Sequence, residues 1–531
     1  MSFTEFISDM ALWWGDLSYS VWIYFALFLP LTAIVYQLTP AKSRKLVLLG
    51  ASWIFFASLS KWLLLVNIAE SVFVWRMGLL IEKINKDKNI KRKERAAKRR
   101  KSLVWGIVFL LLVLVGFKYL DFMGLNLVRL SQLLRHPVNW KLLNIAAPLG
   151  ISYYTLMAIS YLTDISREDI EADKSLVNVA LYLSFFPKIV EGPITRYSED
   201  SKALFAGNPI KYQDLAEGYQ RIAWGLFKKI VIADQLSPSI SALYEGTYTD
   251  GGVALYAAFA FTIQEYTDFS GSIDIVIGSA RIFGVRMAEN FTQPFFAKNA
   301  SDFWHRWHIT LGTFFRDYIF YPVSLAKPVM KFTKKVKSVL GQGVAHFTAP
   351  TIALFLVWLS NGIWHGPRWT YIFYGMYYFV LIFIENILEE PFLALLKKMH
   401  LKEESLPVRI FRFIKLFFII IIGEMFFRAQ TLDIGISMFK SIFTDLRFDM
   451  LIANMGNLNM DFYAYLSVYG GLIVVIAVSI MKEIHFPMRS RLESLPLPLR
   501  FAFWYVCIFV IILFGAYGTG YSSEDLIYAQ F

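Results

Sequence analysis

The chain has 531 residues, 56% of them hydrophobic and 18% charged, with a formal net charge of +12 and a mean hydropathy of +0.48. Soluble domains run about 45–50% apolar and about 25% charged, so these values exclude a string of soluble domains and point to one polytopic membrane domain. The single cysteine, Cys507, excludes an internal disulfide, a thiolate metal cluster and a redox pair, and reads as a small core residue in the last apolar run.

The first residues are acidic (Glu5, Asp9, Asp16) and no small-residue cleavage site follows, so residues 1–20 read as an extension rather than a cleaved signal. Apolar runs long enough to span, at about 20 residues per crossing, then recur throughout. They are 21–38, 46–81 (a hairpin turning at Ser58-Lys61), 102–120, 142–163, 176–190, 219–236, 252–283, 349–364, 369–390, 408–428, 463–482 and 500–519. Several are short or interrupted by Gly and Pro, which predicts re-entrant segments and about eleven crossings inside a membrane domain of residues 21–520, followed by a tail, 521–531.

Between the runs the charge is concentrated. Lys83–Lys101, "KINKDKNIKRKERAAKRRK", carries eleven Lys and Arg; the other basic loops are Lys327–Lys337, Lys397–Lys415 and Lys482–Arg500. Each abuts an apolar run, so anionic lipid is the expected partner and nucleic acid is not. With these loops in the cytoplasm, both termini and the loop 429–462 are extracytoplasmic. The middle third, residues 140–300, is not threaded by this rule.

Ionisable residues inside apolar runs are costly and mark function by default, and three clusters qualify. In "FTIQEYTDFSGSIDIVIGSARIFG", Glu265, Asp268, Ser270 and Asp274 interrupt the run at spacings that put some of them on one helical face, as a cation path or as paired structural carboxylates. In "SDFWHRWHITLGTFFRDYIFYP", Ser301 is a plausible N-cap, and His305, His308, Arg306, Arg316, Asp302 and Asp317 lie among eight aromatics. That is too polar for a lipid-facing span and predicts a tilted or re-entrant helix buried in protein. His305 and His308, three apart, share a helical face, but no acidic or Cys partner stands at metal-ligand spacing. Buried ion pairs are the plain reading of the Arg and Asp. In "LVWLSNGIWHGPRWTYIFYG", His365 sits where Gly366-Pro367 breaks a helix, with Asn361 one turn earlier and Trp364 beside it. Helix breaks at membrane depth are tolerated only where buried in protein or lining a water-filled cavity. A cavity-lining His suits a general base.

The blocks "FWHRWHITLGTFFRDYIFYP" and "SNGIWHGPRWTYIFYG" resemble the two signature blocks of the membrane-bound O-acyltransferase (MBOAT) family, in the branch of alginate O-acetylases and related cell-surface polysaccharide O-acetylation proteins. The likeness extends in order through "FFPKIVEGPITRY", "RIAWGLFKKIVIADQL", "YTDFSGSIDIVIGSARIFG" and the closing "LIYAQF", with departures at His305, Glu191 and Ala529. It implies an all-α MBOAT fold, a ring of tilted helices around a central tunnel, in a bacterial cytoplasmic membrane. It implies no permanently bound cofactor, a cytoplasmic thioester donor, acetyl-CoA, and transfer of its acyl group to an extracytoplasmic polysaccharide or peptidoglycan hydroxyl through an SGNH esterase-like partner transferase. The family's invariant histidine falls on His365 and its second on His308. Asn361, Trp364, Arg306, Arg316, Asp317, Asp268 and Ser270 are expected along the substrate path, and Tyr528 as a possible acyl relay. D-alanyl transfer to teichoic acid is the alternative chemistry; a transporter or a scaffold for polysaccharide export is the non-enzymatic one.

Overall fold

The computed structural model describes residues 23–245, 250–454, 458 and 460–516. These are helical or irregular, with one isolated bridge between Phe291 and Trp307. Five helical stretches are long and apolar enough to cross a membrane: Ala41–Lys86, Arg92–Lys118, Lys327–His365, Phe462–Glu483 and Leu497–Phe514. The residues fall into two compact units. One takes the described part of residues 1–224 together with Ser272–Ala288; the other takes Gly225–Gly271 and the described residues from Glu289 onward.

In the first unit, α1 (Arg44–Ser60) and α2 (Leu64–Lys86) form the hairpin read from the sequence, with Lys61 at the turn in a left-handed conformation, φ 46. Next, α3 (Arg92–Lys118) begins inside the basic run, because Lys and Arg are good helix formers and extend the apolar stretch towards the polar side. The expected span 142–163 is only half helical: α4 (Ile151–Arg167) starts at Gly150, φ 64, and the residues before it are irregular. The expected span 176–190 is shorter still. There α5 (Leu176–Ser184) has nine residues and stops ahead of Pro187, Gly192 and Pro193. The loop that follows is held by a buried network in which Lys188 Nζ contacts Asp200 at 2.5 Å and the Thr195 hydroxyl at 2.9 Å.

Two further helices follow. The first, α6 (Tyr212–Lys228), runs into a π-helical turn at Lys229–Ala233, and the second, α7 (Gly251–Ile282), has 32 residues. The second unit then contains two seven-residue helices, α8 (Ala300–Arg306) and α9 (Ile309–Phe315). Asn299, not Ser301, caps α8: its side chain accepts from the Asp302 N–H at 2.8 Å. The extended residue Trp307 ends α8, so the expected tilted helix is two short ones around a corner.

The basic stretch Lys327–Lys337, expected as a loop, is instead the first part of α10 (Lys327–His365), which kinks at Gly341, φ 84. Only residues beyond that kink are apolar enough for hydrocarbon. α10 ends at His365 on Gly366, φ 151, a conformation open to glycine and strained for residues with a Cβ. α11 (Trp369–Lys398) turns back along it, followed by α12 (Leu406–Arg428), α13 (Phe462–Glu483) and α14 (Leu497–Phe514). α10 and α11 meet backbone to backbone: a Cβ on Gly362 would lie 2.5 Å from Tyr371 O, and one on Gly375 would lie 2.3 Å from Trp358 O. Between α7 and α12, Ala258, Ile421, Met425 and Phe426 form a buried apolar cluster.

Candidate active site

The α10–α11 corner and the α8–α9 corner each deliver one histidine. His365, the last residue of α10, is 3% exposed and surrounded by rings: Trp364 at 5.1 Å between centroids, Phe427 at 5.1 Å, Tyr374 at 6.1 Å and Tyr371 at 6.2 Å. The helix break is therefore buried in protein rather than set in open water, the other of the two environments in which hydrocarbon accepts one. The terminal carbonyls of α10 give the ring a negative dipole end, which favours the positive charge it acquires on taking a proton.

His308 is 2% exposed and is the N-cap of α9 in the left-handed region, φ 46 and ψ 49. Such a conformation costs a non-glycine residue about 1–2 kcal/mol, so surrounding contacts must hold it. Asn290 supplies them. Its Oδ1 accepts from Thr310 N at 3.0 Å and from Thr310 Oγ1 at 2.9 Å, and lies 3.3 Å from His308 Nδ1, while its carbonyl accepts from Ile309 N at 3.0 Å. The Thr310 N–H fixes Oδ1 as the oxygen, so His308 Nδ1 carries the hydrogen and the neutral ring presents Nε2 as an acceptor. Neither α8 nor α9 is long enough to span, and burial, then the neighbouring His365, hold the His308 imidazole well below its usual protonation range. Trp364 contacts both imidazoles, its ring centroid 5.6 Å from that of His308 and 5.1 Å from that of His365.

The other expected site residues divide. Asn361, one turn before His365 on α10, is 5% exposed, and its Oδ1 has no hydrogen-bond partner among the described residues. Arg306 pairs with Asp302 at 3.1 Å and Glu483 at 3.0 Å. Arg316 pairs with Asp317 at 2.8 Å and is half exposed. Asp268 meets Lys229 at 2.5 Å, and Ser270 accepts from Lys228 at 2.8 Å. Each of these five has a polar partner, and the Arg316–Asp317 pair is not the buried one the sequence reading expected. His305 does not share a face with His308: the helix ends between them, and the exposed His305 ring bonds back to Ser301 O at 2.7 Å. No group of three His, Cys, Asp or Glu is placed to hold a metal among the described residues. Tyr528 lies outside the described residues.

Sequence reasoning missed two features. One is Asn290, whose role rests on a contact 18 residues away and follows no motif. The other is a carboxyl pair behind the His365 wall. The Tyr374 hydroxyl donates to Glu424 Oε1 at 2.9 Å, and Glu424 is hydrogen-bonded to Glu265, both carboxyls being 1% exposed. Two carboxyls can bond only if one keeps a proton.

The model of the membrane-bound O-acyltransferase family matches residues 3–428. Relatives include a protein named "Probable alginate O-acetylase AlgI" from Azotobacter vinelandii, 32% identical over 80% of this chain and 77% of its own. The peptidoglycan O-acetyltransferase of Helicobacter pylori is 27% identical over 78% of this chain and 77% of its own. The teichoic acid D-alanyltransferase of Bacillus subtilis is 31% identical over 46% of this chain and 61% of its own. The chain belongs to the membrane-bound O-acyltransferase family and is an acyltransferase of the multi-pass membrane kind.

Proposed function

We propose that this protein takes an acetyl group from a cytoplasmic thioester, acetyl-CoA, and passes it across the bacterial cytoplasmic membrane to a hydroxyl of an extracytoplasmic polysaccharide or peptidoglycan. The observation that carries this reading is that two buried imidazoles, delivered by two separate helix ends, both contact Trp364. His365, at the negative end of a helix, accepts the proton of the attacking hydroxyl as its oxygen adds to the thioester carbonyl carbon. The hydroxyl's single hydrogen goes to His365, so neutral His308, held by Asn290, acts by positioning Trp364 beside the reacting groups. The Asn361 amide or a backbone N–H at the break steadies the negative oxygen. The carbon–sulfur bond then breaks, and the thiolate leaves with the proton from His365. The aromatic wall excludes water, which would otherwise hydrolyse the thioester.

Acetyl is favoured over D-alanyl because the relatives named for acetyl transfer cover nearly twice the share of the chain covered by the one named for D-alanyl transfer. The attacking hydroxyl inside the protein is that of Tyr528, which then hands the group to an SGNH esterase-like partner at the outer face.

Mass spectrometry of ester-linked groups on envelope glycans, from cells with and without the protein, tests this. Loss of acetyl ester supports the proposal. Loss of alanyl ester moves the chemistry to D-alanylation, and loss of the glycan itself, with its esters intact where it remains, moves it to export.

A further inference from the structure

The first unit holds a second set of buried polar side chains that the His365 chemistry does not use. On α2, Asn67 is 1% exposed and Glu70 2%; on α4, Tyr154 is fully buried. Neither the amide of Asn67, nor either oxygen of Glu70, nor the Tyr154 hydroxyl has a hydrogen-bond partner among the described residues. In a membrane domain such groups are costly, and an ionised carboxylate among them is the costliest.

Helix register brings them together. A Cβ on Gly78 of α2 would touch Tyr161 and Ile165 of α4 at 3.2 and 3.1 Å, and Asn85 donates to Ile165 O at 2.8 Å, so the two helices run in the same direction. Eight residues back from Gly78 on α2 is Glu70 and seven back from Tyr161 on α4 is Tyr154, about two turns in each helix, so the two residues lie at one level of the parallel pair. Asn67 is one turn before Glu70 on the same face.

Neither Glu70 oxygen is in an ion pair among the described residues; Lys61 before α2 is exposed to solvent, and Arg167 ends α4 about four turns beyond Tyr154. α1 has only Arg44 and Lys45, at its far end, held by Gly207 O at 2.9 Å and by Asn178 at 3.0 Å. On α3 the nearest base in sequence to this end is Lys118, bonded to Ser152 Oγ at 3.0 Å, and Tyr182 is the one titratable residue of α5. An isolated ionised carboxylate is too costly here, whereas a carboxylic acid, with one O–H donor and free acceptor capacity, suits an amide and a hydroxyl.

We propose that Asn67, Glu70 and Tyr154 form a second intramembrane site, separate from the histidine pair, whose ligand is a proton carried on the Glu70 carboxyl. The site stands whether or not the acyl-transfer reading does.

N,N′-dicyclohexylcarbodiimide tests it on the full-length protein in native membranes. The carboxylic O–H proton moves to a carbodiimide nitrogen, the carboxyl oxygen adds to the central carbon, and acyl migration leaves a stable N-acylurea where water is excluded. At about pH 7, peptide mass spectrometry should find Glu70 modified at least about tenfold more than Glu168, whose side chain is exposed to water. Glu70→Gln should remove that adduct, and about 100 mM sodium should leave it unchanged, since sodium does not compete for a proton at such a site. Protection by sodium would make the ligand an alkali cation and overturn the assignment. Independently of reagent access, the infrared difference between wild type and Glu70→Gln should contain the C=O stretch of a neutral carboxylic acid. A carboxylate band in its place would also overturn it.

Discussion

Replacing Gly375 with Ala perturbs the candidate active site without touching any group that could do chemistry. The new Cβ would lie 2.3 Å from the Trp358 carbonyl oxygen, with Gly362 N at 3.2 Å and Gly362 Cα at 3.3 Å. A carbonyl in the middle of α10 cannot rotate aside, so α10 and α11 must separate by about 1 Å to restore contact distance, at a cost of about 1–3 kcal/mol in overpacking. His365 ends α10 three residues past Gly362, and Tyr371 and Tyr374, which wall its ring, are on α11. Displacing a reacting group by about 1 Å costs about 100-fold in rate. Gly343→Ala is the matched control. Gly343 is on the same helix with nothing within 4 Å of its Cβ, so the change should be neutral or stabilise by about 0.5–1 kcal/mol. The assay is ester-linked acetate per unit of membrane-inserted protein, measured on envelope glycans. Equal acetylation by Gly375→Ala and Gly343→Ala would refute the claim that the α10–α11 contact positions His365.

Asn290→Ala strands the buried Thr310 N–H and releases the left-handed turn at His308; about 1–3 kcal/mol of stability should be lost, read as a lower midpoint in thermal unfolding, together with most acetylation. Asn290→Asp retains the acceptor oxygen and should lose less. His308→Ala should reduce acetylation severely but less completely than loss of His365, because a positioning role is less absolute than accepting a proton; glycan mass spectrometry distinguishes the two. Tyr528→Phe should leave membrane insertion unchanged and abolish surface acetylation, and full acetylation in that variant would remove the acyl relay.

The features legible in the sequence are those written in consecutive residues. Gly366 and Pro367 announce the helix break that carries His365, and Ser58-Lys61 announces the first hairpin, because both depend on local backbone preference. The ordered blocks made the family legible as well. What stayed hidden depends on distant partners. Asp268 and Ser270 looked like path residues until Lys229 and Lys228, some 40 positions earlier, were seen to hold them, and Arg306 until Glu483 was. Asn290 shows no signal at all, since an Asn ahead of "FTQPF" is as good a turn residue as a clamp. The basic stretch Lys327–Lys337 was misread as a loop because charge says which side of the membrane a segment prefers, and says little about whether its backbone is helical. The Glu265–Glu424 pair joins α7 to α12 across about 160 positions, beyond any periodicity.

His365 as the proton acceptor is the claim on which the acyl-transfer mechanism stands. The direct measurement is ester-linked acetate on envelope glycans from cells expressing His365→Ala at the wild-type level in the membrane. No ester above that of cells lacking the protein is the predicted result, and acetate at or near the wild-type amount would contradict it.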